Sequence, residues 1–376
     1  MFMDLQDKKA LFSFQRAAEI LEEGLADQAY PGAALAIGDR DGELYRYVTG
    51  NRAVYPYPLP LKEDTRFDVA SLSKVMSTMV GLKLLEDGRL SLNDTLGEYF
   101  DCPSDKRSIT LKHLLTHTSG IDNFRFRDKV QSAGQVVDAI LHQPLSAPVG
   151  SRASYSCMGL ILFGKICEQI TGKPLDQLLQ EYVCQPLGMK DTGFVRMSLS
   201  AEKRGDNFAA TEYCEELGHY LCGESFDSNT RLLDGVAANA GIFSSVEDVS
   251  RFARMMACKG KVPGGRYLSE VTFEMAARNY TAHLGGEYRG VGFAMTDTEL
   301  NEGQRAILSC GDLFTDGSYG HTGFTGTCMW ADCKSGLYVV LLTNRIHFGR
   351  ENQKLLPIQR RLHNFIAAEY DRRVRP

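Results

Sequence analysis

The stretch "DVASLSKVMSTMVGLKLLEDG", residues 68–88, contains a serine and a lysine three residues apart where a helical pattern begins. A short apolar run, "RFDVA", precedes it and predicts a strand. Side chains three apart lie on one face of a helix, so the Ser71 hydroxyl and the Lys74 amine come within reach of each other. A neutral amine can take the serine proton and create a nucleophile, and the helix N-terminus favours negative charge there. Alternatively, Ser71 caps the helix and Lys74 is a solvated side chain.

The same four-residue pattern, S-x-x-K, occurs a second time, and the two copies differ in context. Ser200 and Lys203 lie in "SLSAEKRGDN", which is polar and typical of a turn. Ser71 instead opens an apolar helix that runs to Gly88. The context therefore favours the first copy as the one that carries chemistry.

Two further stretches could join that site. Tyr155, in "GSRASYSCMGLILFGKICEQITGKPL", lies at a predicted loop-to-helix junction, where a phenol could shuttle protons. His321, Thr322 and Gly323, in "SYGHTGFTGTCMWAD", are expected where a strand begins, and the glycine permits close approach of a ligand. Each stretch alone is more typical of a structural role. Together, in the order S-x-x-K, Y-x-x and H-T-G, they form a specific constellation.

The hydrophobic pattern predicts an α+β fold. Residues 31–51 indicate a β-hairpin, residues 322–344 indicate two more strands, and a helical pattern covers about 351–370. The chain between them is mostly helical, apart from a polar segment at 198–234 without clear periodicity. We therefore expect an antiparallel sheet built from both chain ends, flanked by helices. The predicted domains are a sheet domain, residues 1–72 and 256–376, and an inserted helical subdomain, residues 73–255.

Composition excludes several classes of function. The 376 residues include 43% hydrophobic and 24% charged residues, as in ordinary globular proteins. A net charge of −5 with interspersed signs argues against a nucleic-acid partner. No apolar stretch approaches the length of a membrane span, and the N-terminus lacks a signal-peptide pattern, so we expect no membrane partner and a cytoplasmic protein.

The cysteines and histidines do not indicate a metal site. The ten cysteines include no C-x-x-C pair, and we expect them to be reduced thiols. His113 and His117 have helical spacing but lack the glutamate of the H-E-x-x-H pattern and an evident third ligand.

The chain resembles the β-lactamase-related serine hydrolases: class C β-lactamases, D-Ala-D-Ala carboxypeptidases, D-aminopeptidases and related esterases. Besides the three motifs, "LLTHTSGI", "AGIFSSVEDVSRFARMM" and "GHTGFTGT" carry the resemblance in the same order along nearly the whole chain. The resemblance implies a β-lactamase/transpeptidase-like fold with the active site in the cleft between the sheet domain and the helical subdomain.

The resemblance also implies roles for individual residues. Ser71 would form an acyl-enzyme, with Lys74 as proton acceptor and Tyr155 as proton shuttle. The backbone N–H groups of Ser71 and Phe324 would form the oxyanion hole. His321 and Thr322, followed by Gly323, would line the substrate. No metal or organic cofactor is required.

Two departures from the family pattern bear on activity. The second motif is usually Y-x-N or Y-x-D, but here it is Tyr155-Ser156-Cys157, and cysteine is a weak hydrogen-bonding partner. The third motif is often K-T-G, but here it begins with His321, which is mostly neutral near pH 7. The loss of the lysine charge argues against penicillins and free C-terminal carboxylates as substrates.

The sequence therefore predicts a serine hydrolase acting on small esters, amides or D-amino-acid peptides, with weak or absent β-lactamase activity. The alternative is a catalytically impaired ligand-binding or scaffolding protein, motivated by Cys157. A metal-dependent hydrolase using His113 and His117 is a third reading. The natural substrate and the oligomeric state stay open.

Overall fold

The computed structural model describes residues 5, 6 and 9, then 12–284, 286–297 and 308–374. Its strands, in chain order, are β1 Gly32–Gly38, β2 Glu43–Ala53, β3 Leu59–Pro60, β4 Phe67–Asp68, β5 Gly193–Phe194, β6 Tyr213–Cys214, β7 His219–Tyr220, β8 Ile242–Ser244, β9 Lys261–Val262, β10 Gly265–Arg266, β11 Ala294–Met295, β12 Tyr319–Thr322, β13 Cys328–Ala331 and β14 Tyr338–Thr343.

The main sheet confirms the predicted fold class. Its seven antiparallel strands follow the order β11-β12-β13-β14-β1-β2-β3. The N-terminal hairpin β1–β2 thus pairs directly with the C-terminal strand β14, with Ala33 opposite Thr343. A smaller sheet has the order β4-β8-β5, and its strand β4 ends at Asp68, shortly before Ser71.

Helices cover both faces of the main sheet and fill the chain between its halves. They are α1 Gln15–Ala26, α2 Leu72–Glu86, α3 Leu96–Tyr99, α4 Leu111–Leu115, α5 Val136–Leu141, α6 Cys157–Thr171, α7 Leu175–Leu179, α8 Gln185–Leu187, α9 Ala201–Arg204, α10 Ser228–Leu232, α11 Val246–Ala257, α12 Glu270–Ala276 and α13 Leu355–Val374. On one face α1 packs with α13, and on the other α11 packs against β1, β13 and β14. In the part of the chain that the structure describes, no helix has the length and apolarity to span a bilayer.

Helix α11 forms because Ser245 caps its first turn and acidic side chains follow at Glu247 and Asp248. The proposed boundary at 255/256 would assign this helix to the helical subdomain, although it packs on the main sheet. The domain division therefore stays a prediction.

Helix α2 is buried on nearly all sides. Twelve of its 15 residues are buried, including Lys74. A helix that buries nearly all of its sides lies in the core. The reading of Lys74 as a solvated side chain is therefore wrong.

The polar segment 198–234 consists of short elements: helix α9, the hairpin β6–β7 and helix α10. Its lack of sequence periodicity follows from their lengths, since none exceeds five residues.

Candidate active site

The turn between β4 and α2 places Ser71 at the start of the helix. The Asp68 carboxylate accepts hydrogen bonds from the backbone N–H groups of Ala70 and Phe226, each at 2.9 Å. Ala70 has φ +49°, a left-handed conformation that residues with a Cβ rarely adopt. Ser71 makes no side-chain capping bond to the helix, so its hydroxyl is available for other partners.

The structure brings Ser71, Lys74 and Tyr155 together as the sequence predicted. Lys74 Nζ lies 3.1 Å from Ser71 Oγ and 2.8 Å from the carbonyl oxygen of Asn239. The Tyr155 hydroxyl donates to Ser71 Oγ at 2.6 Å. The serine oxygen therefore contacts two groups that can exchange protons with it.

Two opposing effects act on the Lys74 ammonium. Burial lowers its pKa, whereas negative charge on Cys157 and Tyr155 raises it, and the net pKa lies above its ordinary value. Burial also raises the pKa of the Cys157 thiol, which is therefore neutral near pH 7 and supplies no such charge there. The role of Lys74 as the base stays a prediction.

Tyr155 is held by contacts that the sequence did not suggest. Asn123 Nδ2 donates to the Tyr155 carbonyl at 3.0 Å, and Asn123 Oδ1 accepts from the N–H of Cys157 at 2.7 Å. The His117 ring lies 4.8 Å from the Tyr155 ring, and its Nδ1 accepts from Ser156 N–H at 3.2 Å. Burial lowers the pKa of His117 well below its usual value, so a neutral imidazole supports the phenol.

The two histidines at helical spacing make separate contacts. His113 Nδ1 lies 3.1 Å from the backbone nitrogen of Thr110 in the cap of α4, while His117 packs on Tyr155. Among the described residues, no group of three or more His, Cys, Asp and Glu could hold a metal ion.

Cys157 begins helix α6, and its thiol lies near Lys74 and Asn239. In the described ranges the buried Nδ2 of Asn239 has no hydrogen-bond partner. A thiol is a poor acceptor, and an amide or carboxylate at position 157 would satisfy such a donor better. The departure from the family motif thus weakens the polar contacts behind Lys74.

The third motif ends a strand rather than beginning one, which corrects the sequence expectation. His321 and Thr322 close β12, and Gly323 starts a tight turn in which its N–H donates to Thr327 O at 2.6 Å. A Cβ at Gly323 would lie 2.1 Å from Thr327 Oγ1 and 2.7 Å from Val69 O. The glycine therefore makes room for the protein's own chain, and the close approach of a ligand at this position stays a prediction.

Two hydrogen bonds join this turn to the segment before Ser71. Thr325 Oγ1 donates to Asp68 O at 2.7 Å, and Thr327 Oγ1 donates to Val69 O at 3.0 Å. Within the described part of the chain, neither the Ser71 nor the Phe324 N–H donates to a protein acceptor. Both groups predicted for the oxyanion hole are therefore available to a substrate.

His321 is neutral and contacts an arginine that sequence reasoning missed. Its Nδ1–H donates to Thr322 O at 2.7 Å, so its Nε2 accepts from Arg289 Nη1 at 3.2 Å. Burial lowers the pKa of His321 well below its usual value, and it lowers the pKa of Arg289 to about 10. Arg289 also forms an ion pair with Glu287. A single arginine within "EYRGVGFAM" carries no motif signal that could have identified it.

These groups open into a cavity of about 270 Å³. Its lining comprises Ser71, Tyr155, Glu287, Arg289, Ala294, His321, Thr322, Gly323, Phe324, Gly326, Trp330, Arg345, Asn352, Gln353, Leu355, Leu356 and Gln359. A larger open cavity, of about 1040 Å³, shares Asn352 and Gln353 with it. A substrate could thus extend beyond the reacting centre.

The chain is similar to several known proteins. The Beta-lactamase family model matches residues 17–362. A protein of Escherichia coli O157:H7, with a provisional D-alanyl-D-alanine carboxypeptidase name, is 27% identical over 358 residues, covering 85% of this chain and 80% of its own length. The N-acetylmuramyl-L-alanine amidase of Bacillus subtilis (strain 168) is 27% identical over 376 residues, covering 89% and 81%.

Two solved structures share the fold. EstCE1, a hydrolase with promiscuous acyltransferase activity, superposes with a TM-score of 0.72 at 20% identity, over 94% of this chain and 98% of that one. A mutant of simvastatin synthase from Aspergillus terreus gives a TM-score of 0.71 at 20% identity, over 96% and 97%.

Proposed function

Because the chain belongs to the β-lactamase family and is a serine hydrolase of that kind, we propose that Ser71 is its nucleophile. In this proposal Ser71 forms an acyl-enzyme. The observation that carries the proposal is the contact of Ser71 Oγ with both Lys74 Nζ, at 3.1 Å, and the Tyr155 hydroxyl, at 2.6 Å.

In the proposed reaction, Ser71 Oγ attacks the carbonyl carbon of an ester or amide, and its proton passes to the Lys74–Tyr155 pair. The N–H groups of Ser71 and Phe324 stabilise the negative oxygen of the tetrahedral intermediate. Tyr155 then delivers the proton to the leaving group as its bond to the carbonyl carbon breaks. Water then attacks the carbonyl carbon of the acyl-enzyme and gives a proton to the pair. As the bond between that carbon and Ser71 Oγ breaks, the pair returns a proton to Ser71 Oγ and a carboxylic acid is released.

The proposed substrates are small esters, amides or peptides that contain D-amino acids. The names of the Escherichia coli and Bacillus subtilis relatives, a carboxypeptidase and an amidase, support amide substrates. The third motif supplies no net positive charge, since His321 is neutral and Glu287 offsets Arg289. We therefore expect weak β-lactamase activity.

Intact-mass spectrometry tests the proposal. The parent protein and Ser71→Ala are exposed briefly to a p-nitrophenyl ester and, separately, to a penicillin, while nitrophenol release and penicillin loss are followed. We expect ester turnover and any adduct only with the parent protein, while Ser200→Ala behaves as the parent. Full turnover by Ser71→Ala would contradict the proposal.

The second candidate function is a ligand-binding protein without turnover. Cys157 and the unsatisfied Nδ2 of Asn239 favour it, because they weaken the polar contacts behind Lys74. Calorimetric binding of an ester or penicillin without adduct or turnover would support this candidate. A serine adduct that hydrolyses would exclude it.

A further inference from the structure

The side-chain amide of Asn123 bonds the backbone on either side of one residue in the second motif. Its Nδ2 donates to the carbonyl oxygen of Tyr155 at 3.0 Å, and its Oδ1 accepts from the N–H of Cys157 at 2.7 Å. Ser156 between them is extended, with φ −133° and ψ 132°, so this carbonyl and this N–H point to the same side. The N–H of Ser156 itself donates to His117 Nδ1. We call the pair of bonds made by one such amide an amide clamp.

A second amide clamp holds the loop that contains Asn123. Asn229, in helix α10, donates from Nδ2 to the carbonyl oxygen of Phe124 at 2.7 Å and accepts at Oδ1 from the N–H of Phe126 at 2.8 Å. The residue between them, Arg125, is again extended, with φ −86° and ψ 124°. The two clamps act in series, because Phe124 follows Asn123 directly in the chain. Four hydrogen bonds thereby connect helix α10 to the second motif.

The contact between Tyr155 and Ser71 depends on the position of this backbone. The Tyr155 hydroxyl donates to Ser71 Oγ at 2.6 Å, and Lys74 Nζ lies 4.9 Å from the centre of the Tyr155 ring. A tyrosine side chain has only two torsion angles between its backbone and its rigid ring, so a shift of the backbone moves the hydroxyl. A displacement of about 1 Å would break a hydrogen bond of this length and impair proton transfer.

We propose that Asn123 and Asn229 are positioning residues that hold the Tyr155 phenol where it can give its proton to the leaving group. This inference rests on the proposed function and adds how proton delivery is maintained although position 157 carries a weakly hydrogen-bonding thiol. Neither asparagine is among the residues that line the cavity of Ser71, so both act through the backbone of the second motif. Loss of a clamp should therefore slow esters whose leaving group needs a proton more than esters whose leaving group does not.

Two acetate esters that differ in their leaving groups test the proposal. p-Nitrophenyl acetate releases a stabilised phenolate, which departs without a proton, whereas p-nitrobenzyl acetate, one methylene longer, releases an alkoxide that must be protonated. The measured quantity is the ratio of kcat/KM for the benzyl ester to that for the phenyl ester. Because the same folded molecules hydrolyse both esters, partial misfolding of a variant cancels from the ratio.

We expect Tyr155→Phe to lower this ratio about tenfold or more, because it removes the proton donor. Asn123→Ala should lower the ratio at least about threefold, and Asn229→Ala about twofold, since it acts one clamp further from the phenol. Asn123→Gln retains both amide groups and should keep part of the ratio.

Asn364→Ala is the matched control, because this variant also removes an amide that makes two hydrogen bonds. Asn364 accepts from the N–H of Asp312 at 2.6 Å and donates to its carboxylate at 2.7 Å, away from the cavity, so the ratio should not change.

A ratio that falls less than about threefold in Asn123→Ala would overturn the proposal. An unchanged ratio in Asn229→Ala would overturn the role of that residue. Failure of the proposed function gives different results. Ser71→Ala would then continue to hydrolyse both esters, or Tyr155→Phe would keep the ratio of the parent, in which case the role of the clamps fails together with that of the phenol.

Discussion

The chain contains the S-x-x-K pattern twice, and the two copies perform different tasks. Ser200 caps the four-residue helix α9, where its Oγ accepts from the N–H of Lys203 at 3.4 Å, and both residues are exposed. Ser71 precedes the 15-residue helix α2 without capping it, and Lys74 is buried. The pattern alone therefore does not indicate chemistry. The proposal for Ser71 rests on the burial of its lysine and on a hydroxyl that contacts Lys74 and Tyr155 instead of capping the helix.

Backbone conformation explains the difference. Ser200 is extended, with φ −62° and ψ 153°, which is the conformation that turns a capping oxygen back onto the helix. Ser71 already has helical angles, φ −70° and ψ −7°, because the left-handed Ala70 makes the turn one residue earlier. Its Oγ consequently faces Lys74 and Tyr155.

The largest expected effect on activity distinguishes the lysines of the two copies. Lys74→Ala should lower kcat/KM for a p-nitrophenyl ester by about 10³-fold, since it removes a proton acceptor and a contact to the nucleophile. Lys203→Ala should leave kcat/KM unchanged, because that side chain is exposed. Steady-state kinetics of both variants, with thermal melts to confirm folding, measure the difference. Equal activities of the two variants would contradict the assignment of Lys74.

A smaller effect concerns the turn that distinguishes Ser71 from Ser200. Burial raises the pKa of Asp68 to about 7, whereas an unfolded aspartate titrates near about 3.9. Between these values the folded protein retains a proton that the unfolded chain has lost, so the free energy of unfolding should fall as pH rises from about 4 to about 7. Asp68→Asn should remove this component of the pH dependence.

Denaturant unfolding at several pH values measures that slope. The fully exposed carboxylate of Asp101 offers the control, since Asp101→Asn should keep the slope of the parent. An unchanged slope in Asp68→Asn would contradict the raised pKa of Asp68.

The smallest expected effect concerns the second copy. Ser200→Ala removes a helix cap and should lower the free energy of unfolding by about 0.5–1 kcal/mol, the low end of the range for caps, because helix α9 is short and exposed. Ester turnover should not change. Loss of activity in this variant would indicate that the 198–234 segment contributes to the site.

The sequence allowed prediction of residues that are expected to act through their own side chains and that have a recognisable spacing. Ser71, Lys74 and Tyr155 belong to this group, and the structure brings all three together. The pairing of the N-terminal hairpin with a C-terminal strand was also predictable, because each segment has a clear strand pattern.

Other parts of the site had no sequence signal. Asn239 contributes a backbone carbonyl, which any residue could supply. Arg289 reaches the cavity from an isolated β-bridge and Arg345 from the short 3-10 helix Arg345–Phe348, and neither element is long enough to show periodicity. The H-T-G motif was placed at the wrong end of its strand because Gly323 and Gly326 suggest a turn but do not fix which strand it follows. Such residues are defined by tertiary contacts, which local pattern does not encode.

The pairing of β1 with β14 has a consequence for the order of events during synthesis. Ala33 faces Thr343, so these central strands are separated by about 300 residues of chain. As the chain leaves the ribosome, β1 and β2 emerge before β14 and cannot pair with it until the intervening helices have also emerged. Since the turn after β12 must also reach the segment before Ser71, the predicted oxyanion hole can assemble only after this turn has been synthesised.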